Sequence, residues 1–153
     1  MTHAPEVKDS FVLVRIGDRR CAVAANLVAE MSPPVRLHKF PHTTEMITGV
    51  IVRRGRIVPV CDAHAILGER KSFASVFYLI TECKSAGTNE LLAIAVNGES
   101  ELVSGELQTA KTTEPGYISG TLLVGTDSVP VLNLTVLAGV LSTPNESRSE
   151  AHS

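Results

Sequence analysis

The chain has no tryptophan, and aromatic residues fill only 4% of its 153 positions. Stacking on bases or sugar rings is therefore not its means of recognition, and its core must be built from Val, Leu, Ile and Ala. Neither charge is in excess: 14 Lys and Arg stand against 16 Asp and Glu, for a formal net charge of −2. Such a balance produces no global field that would draw nucleic acid or anionic lipid. The three cysteines, Cys21, Cys61 and Cys83, are far apart and set among apolar residues. An odd, dispersed set argues against a disulfide scaffold and for a reducing compartment. No basic-then-apolar leader opens the chain, and no apolar run reaches the ~20 residues of a membrane helix. A cytoplasmic protein without direct membrane insertion is the expectation.

The signatures of chemistry are missing as well. No GxSxG follows a strand, no glycine-rich phosphate loop or dinucleotide fingerprint is present, and no cysteine carries a nucleophile signature. His38, His42 and His64, with Cys61 and Asp62, lack CxxC or HExxH spacing, and Pro41 separates the first two histidines from a shared helical face. The inventory predicts no enzyme, no cofactor and no metal, and favours a binding protein.

What the chain does have is a repeat. Residues 47–60, ITGVIVRRGRIVPV, return as 118–131, ISGTLLVGTDSVPV, at a constant offset of 71 and without a gap. Gly, Pro and the apolar positions match. The turn does not: Arg53-Arg54-Gly55-Arg56 in one copy becomes Val124-Gly125-Thr126-Asp127 in the other. A repeated framework with one altered loop points to two similar subdomains, one carrying a special surface.

Short strands separated by turns run through the rest. Phe11 to Ile16 and Cys21 to Val23 read as strands around Gly17-Asp18. Ala24 to Met31 reads either as a short helix or as a third strand with a turn at Asn26, and Pro33-Pro34 ends it. Val35 to Phe40 reads as extended. Gly49 to Val52 and Ile57 to Cys61 form the first hairpin, and Ala63 to Leu67 one helical turn ending at Gly68. Ser75 to Thr81 and Leu91 to Val96 are strands joined by a polar loop, Lys84 to Asn89. Asn97-Gly98 predicts a type I′ hairpin turn into Glu101 to Val103. Ser104 to Gly116 is a connector, Ile118 to Val124 and Val129 to Leu132 the second hairpin, and Leu134 to Leu141 a helical turn or two. Residues 1–9 read as a flexible arm and 142–153 as a disordered tail. Each half of ~70 residues buries a marginal core alone, so the halves must pack on each other.

Two features compete as a site. Arg53, Arg54 and Arg56 read as guanidiniums on a rigid hairpin tip, able to grip a carboxylate or carbonyl of a partner; the bland alternative is a solvated turn. Glu30, in the apolar run after Val28, reads as a partner-facing acid beside an exposed Val28 or as an ordinary solvent-side residue. Three arginines without wider basic support give little phosphate neutralisation. A small barrel binding nucleic acid or a small ligand through this turn is therefore the alternative reading only.

The stretch Gly49 to Asp62 resembles the signature hairpin of the CheW family. Phe11 to Ala25, Val28-Ala29-Glu30, Leu92 to Val103 and Ile118 to Leu137 are similar to that family in order and spacing, so the resemblance covers about residues 10–141. It implies an all-β fold with short helices: two intertwined five-stranded barrels, similar to Src-homology-3 barrels, around a shared core. It also implies a scaffold without catalytic activity, which joins chemoreceptor signalling tips to a CheA-type histidine kinase through the kinase's regulatory domain. The resemblance places receptor contacts in the groove between barrels, carried here by Arg54, Glu30 and Val28, with Arg53 and Arg56 beside them. It places the kinase contact on no particular residue. Val52 and Arg53 stand where the family pattern has Asn and Leu, and Ala63 where it has Leu.

Overall fold

The structure is a computed structural model and describes residues 9–39, 47–64, 66–67, 76–85, 87–109 and 116–139. Of the arm expected at 1–9, residues 1–8 lie outside the described residues, as do the tail at 142–153, His42 and Gly68, whereas Asp9 is the first residue of a strand and pairs with Gly105. Among the described residues no helix is long and apolar enough to cross a membrane.

Among the described residues eleven strands form two curled sheets. The strands are β1 (Asp9–Ile16), β2 (Arg19–Ala24), β3 (Val28–Ser32), β4 (Ile47–Arg53), β5 (Arg56–Cys61), β6 (Phe77–Ser85), β7 (Thr88–Val96), β8 (Ser100–Gly105), β9 (Leu107–Thr109), β10 (Ile118–Val124) and β11 (Asp127–Leu132). A 3-10 turn at Ala25–Leu27 precedes β3, so the segment with two readings is a turn followed by a strand. The polar loop expected at Lys84 to Asn89 is shorter than that. Lys84 pairs with Asn89 and Ser85 with Thr88, so the strands run on almost to the turn glycine, Gly87.

The repeat does not fold half by half. One sheet has the order β3-β6-β7-β5-β4, the other β8-β1-β2-β11-β10-β9. Each barrel thus joins one copy's signature hairpin to the opening hairpin of the other copy. Val60 on β5 lies parallel to Ala93 on β7, and Val131 on β11 lies parallel to Ala22 on β2. Both pairs are Val on Ala, 71 residues apart. The intertwining follows from this exchange.

The larger sheet has six strands because β9 is counted; in the other barrel the same place is held by a single bridge, His38 to Val50. That sixth segment explains the repeated glycine. A Cβ on Gly49 would sit 2.6 Å from the His38 carbonyl oxygen, and one on Gly120 would collide with the Gln108 carbonyl. Each hairpin also has a register shift at this glycine. The repeated proline is equally local. Val50 exchanges both backbone bonds with His38 (2.8 and 2.9 Å). Its cross-strand partner Pro59 therefore lies in a non-hydrogen-bonded pair, where the missing N–H costs the β4–β5 ladder nothing.

Three apolar clusters result. Ile51, Val58, Val60, Tyr78, Ile80 and Ala93 fill one barrel; Phe11, Leu13, Ala22, Leu122, Val129 and Val131 fill the other. Between them lies a larger shared core that includes Val14, Val23, Leu79, Leu92, Ile94 and Leu132. Strands β1, β2, β6 and β7 are apolar on both faces because one face fills a barrel and the other the shared core. The short helix at 134–139 adds Leu134, Leu137 and Ala138 to the shared core, and the Asn133 side chain accepts the Val136 N–H at its start.

The Asn97-Gly98 expectation is overturned. The strands on either side do not pair: β7 lies between β6 and β5, and β8 pairs with β1 in the other sheet. The dipeptide is a crossover between barrels, and neither residue has positive φ. Asn97 N–H donates to the Arg15 carbonyl (2.8 Å) and its side-chain amide to the Gly17 carbonyl (3.2 Å). Gly98 lies against Phe77, whose ring would stand 2.7 Å from an added Cβ. Close approach to an aromatic ring, not turn conformation, requires that glycine.

Candidate functional site at one barrel mouth

Glu30 lies on β3 opposite Ile80, a residue of the barrel interior, so its carboxylate points to the open end of that interior. Arg53 and Arg56 close β4 and β5 as a cross-strand pair. By alternation they share the inward face of Ile51 and Val58. The acid and the base therefore meet at the barrel mouth. Arg53 donates from Nε to Glu30 Oε2 (3.2 Å) and from Nη2 to Oε1 (3.1 Å), a bidentate fork. Arg54 adds a looser second fork at 3.3 and 3.4 Å. The side chains of Glu30 and Arg53 are 23% and 27% exposed, that of Arg54 74%. Hydrogen bonds from Arg53, then from Arg54, hold the Glu30 carboxyl below its ordinary 4.5, against the opposing effect of partial burial.

In the strand order of this sheet, β3 and β4 are the two edges. The Glu30–Arg53 fork therefore ties the edges together and closes the curl. Under it lies a hollow of about 270 Å³, lined by Ala29, Val58, Ile80, Glu82 and Leu91 besides the charged residues. All of this lining comes from strands of one barrel, whereas the family resemblance implied a groove between two. Arg56 is exposed and stands on the rim.

Val28 does not share the Glu30 surface. A bulge between Val28 and Glu30 leaves Ala29 unpaired and shifts the register. Val28 then faces Thr81 and packs, half-buried, against the shared core, while Glu30 faces Ile80 on the opposite side. Two residues apart in an unbulged strand they would look the same way. An exposed valine is thus corrected to a half-buried one, lining a separate hollow with Leu27, Ala29 and Glu82.

The turn itself is unusual. Arg54 has φ 54° and Gly55 φ 78°, the two positive values of a type I′ turn. Among the described residues Arg54 is the one non-glycine residue with positive φ. Its counterpart in the second copy is Gly125, at φ 62°. The framework demands a left-handed residue at this position. The second copy meets the demand with glycine, and the first spends about 1–2 kcal/mol to place a guanidinium there.

Glu82 and Leu91, cross-strand partners in the lining, were not read as site residues. The period of two along Tyr78, Ile80 and Glu82 puts Glu82 on the inward face. Nothing local to it announces that β6 pairs with β3. No group of three or more His, Cys, Asp or Glu stands together as a metal site among the described residues. His64 Nδ1 lies 2.6 Å from Asp62 in a tight turn after β5, and His38 is exposed beside β4, bridged to Val50. Cys21 and Cys61 are fully buried, and desolvation pushes both thiols up to about 12.

The comparisons with known proteins agree with this architecture. The structure matches the crystal structure of the scaffolding protein TtCheW from Thermoanaerobacter tengcongensis with a TM-score of 0.70, over 90% of this chain and 92% of that one, at 22% identity. No curated protein sequence matches the chain. The family model for the CheW-like domain matches residues 10–141, from the second residue of β1 to just past the short helix, and the chain therefore belongs to the CheW-like domain family.

Proposed function

We propose that this chain is a non-catalytic scaffold in a chemotaxis-like signalling system, coupling methyl-accepting chemoreceptors to a CheA-type histidine kinase. Membership of the CheW-like family supports the reading, as does the scaffolding role stated for the matched structure. Such a scaffold acts by linkage: it binds a receptor signalling tip at one surface and the kinase regulatory domain at another, raising their effective concentration in one complex. A receptor change reaches the kinase only if its contacts with the scaffold differ between receptor states. The protein then works in the cytoplasm and reaches receptor arrays through its partners.

One observation carries the receptor-facing assignment: Arg54 occupies a strained turn position that the second copy fills with glycine. Strain kept in one of two otherwise matching hairpins needs a return, and contact with a partner supplies it. Val52 and Ile57, a cross-strand pair on the outward face of the same hairpin, are 52% and 69% exposed and add apolar area beside it. Phosphate binding by the arginines is disfavoured, because Glu30 already accepts hydrogen bonds from two of the three.

Co-purification with a receptor signalling-tip bundle and with a kinase regulatory domain tests the reading. Arg54→Glu is expected to weaken tip binding by ~2 kcal/mol or more and leave kinase binding in place. Unchanged tip recovery with that variant would count against Arg54, and failure to retain either partner would count against the scaffold itself.

A further inference from the structure

Two arginines share one carboxylate, and they hold it on unequal terms. Arg53 forms the shorter fork and is about as shielded as Glu30 itself. Arg54 forms the longer fork and is largely in water. We propose that Arg53 and Arg54 divide the work: Arg53 is the clasp that holds Glu30 and closes the barrel edges, while Arg54 is an exchangeable guanidinium that leaves Glu30 for an acidic side chain of the partner. The inference rests on the scaffold reading for its partner but not for its clasp.

The physical case has three parts. First, Glu30 keeps a complete bidentate donor, the Arg53 guanidinium, when Arg54 departs, so no carboxylate is stranded at a half-buried site. Second, a surface ion pair in water contributes little net free energy, so release of Arg54 costs little. A partner that covers the turn and excludes water offers a stronger contact than the one given up. Third, the left-handed backbone at Arg54 directs this side chain from the very tip of the hairpin, ahead of any partner, which reduces the ordering cost of binding. A hairpin with a single arginine would have to break its barrel clasp in order to bind. Here the Arg53 side chain removes that conflict. On the other barrel the matching acid, Glu101, pairs with Leu13, and the corresponding turn, Gly125, Thr126 and Asp127, carries no guanidinium to exchange.

Thermal melts of the partner-free protein test the clasp. Arg53→Met lowers Tm by several degrees, with Arg53→Lys, which keeps charge but not the fork, as the milder variant should the first fail to fold. Arg54→Met changes Tm by about a degree or less, and Arg54→Gly raises it by ~4 °C as the left-handed strain is relieved. Equal losses from Arg53→Met and Arg54→Met would overturn the division of labour. Binding of a receptor-tip helical bundle, read by calorimetry and by the arginine Nε–H signals in NMR, tests the exchange. Arg54→Met loses at least ~30-fold in affinity and Arg53→Lys less than ~3-fold; on binding, the Arg54 signal moves and the Arg53 signal stays. Movement of the Arg53 signal, or tip affinity indifferent to Arg54, overturns the exchange. If the unaltered protein does not bind the tip, the scaffold reading and the exchange both fall, and the melts still decide the clasp.

Discussion

Glu30 and Glu101 occupy one and the same position in the two barrels. Glu30 pairs with Ile80, which pairs with Ala93, which lies level with the row of Val60. Glu101 pairs with Leu13, which pairs with Ala22, which is bridged to Val131. The glutamates are 71 residues apart, like the two hairpin turns, and arginines stand in only one of those turns. Both barrels therefore carry the acid and only one carries the base. The functional asymmetry of this protein lies in a turn of four residues on an otherwise doubled frame.

The Glu30 clasp makes stability depend on pH in a defined direction. Its carboxyl is depressed in the folded protein, by Arg53 first and Arg54 second, below the ordinary 4.5 of the unfolded chain. A group of this kind contributes stability above the unfolded value and loses it as pH falls through the folded one. The unfolding free-energy difference between the unaltered protein and Glu30→Gln is therefore expected to be full at pH 7 and to shrink below about pH 4.5. Urea titrations at pH 7, 5 and 3.5 measure it. A gap that widens on acidification would contradict the clasp.

The repeated glycines are packing residues and should not tolerate a methyl group. Gly120→Ala drives a Cβ into the Gln108 carbonyl, and Gly49→Ala into the His38 carbonyl, both of them backbone atoms. A loss on the order of 2–3 kcal/mol is expected for each. Gly116→Ala, whose nearest neighbour would be a Val136 methyl at 3.9 Å, is the contrast and should fall within about 0.5 kcal/mol of the parent.

The cysteines should be inert in the native state. Cys21 and Cys61 are fully buried with thiols pushed up to about 12, and burial raises the Cys83 thiol too. A thiol-reactive chromophore is expected to label none of them at pH 7.5 and all three in guanidinium. Rapid labelling of the native protein would show that the shared core opens.

A short ion pair on the surface should matter little. Arg20 meets Asp127 at 2.7 Å, but their side chains are 30% and 66% exposed. Asp127→Asn is expected to change stability by less than ~0.5 kcal/mol, and by less still in 0.5 M salt. A larger effect would mean that this pair, which links β2 to β11, helps hold the strand exchange.

Much of the local structure was legible in the chain. The β-branched run of β1, the Gly17 turn and the stop at Pro33-Pro34 are short-range signals, and the strands and turns formed where they lay. Asn97-Gly98 misled because turn propensity reports which conformations are accessible and not which strands stand nearby. Val28 and Glu30 were grouped because a one-residue bulge leaves no sequence mark and yet reverses every face before it.

The amino-acid sequence by itself determined the duplication, the all-β character and the single basic turn, because periodicity, glycine and charge act within a few residues. Only the tertiary structure decided which copy's hairpin completes which barrel. A hairpin offers the same backbone edge to its own copy and to the other, so pairing alone does not choose between them. The choice is made by burial: exchanged strands cover both apolar faces at once, and that closure also brings Arg53 to Glu30 across the mouth of one barrel.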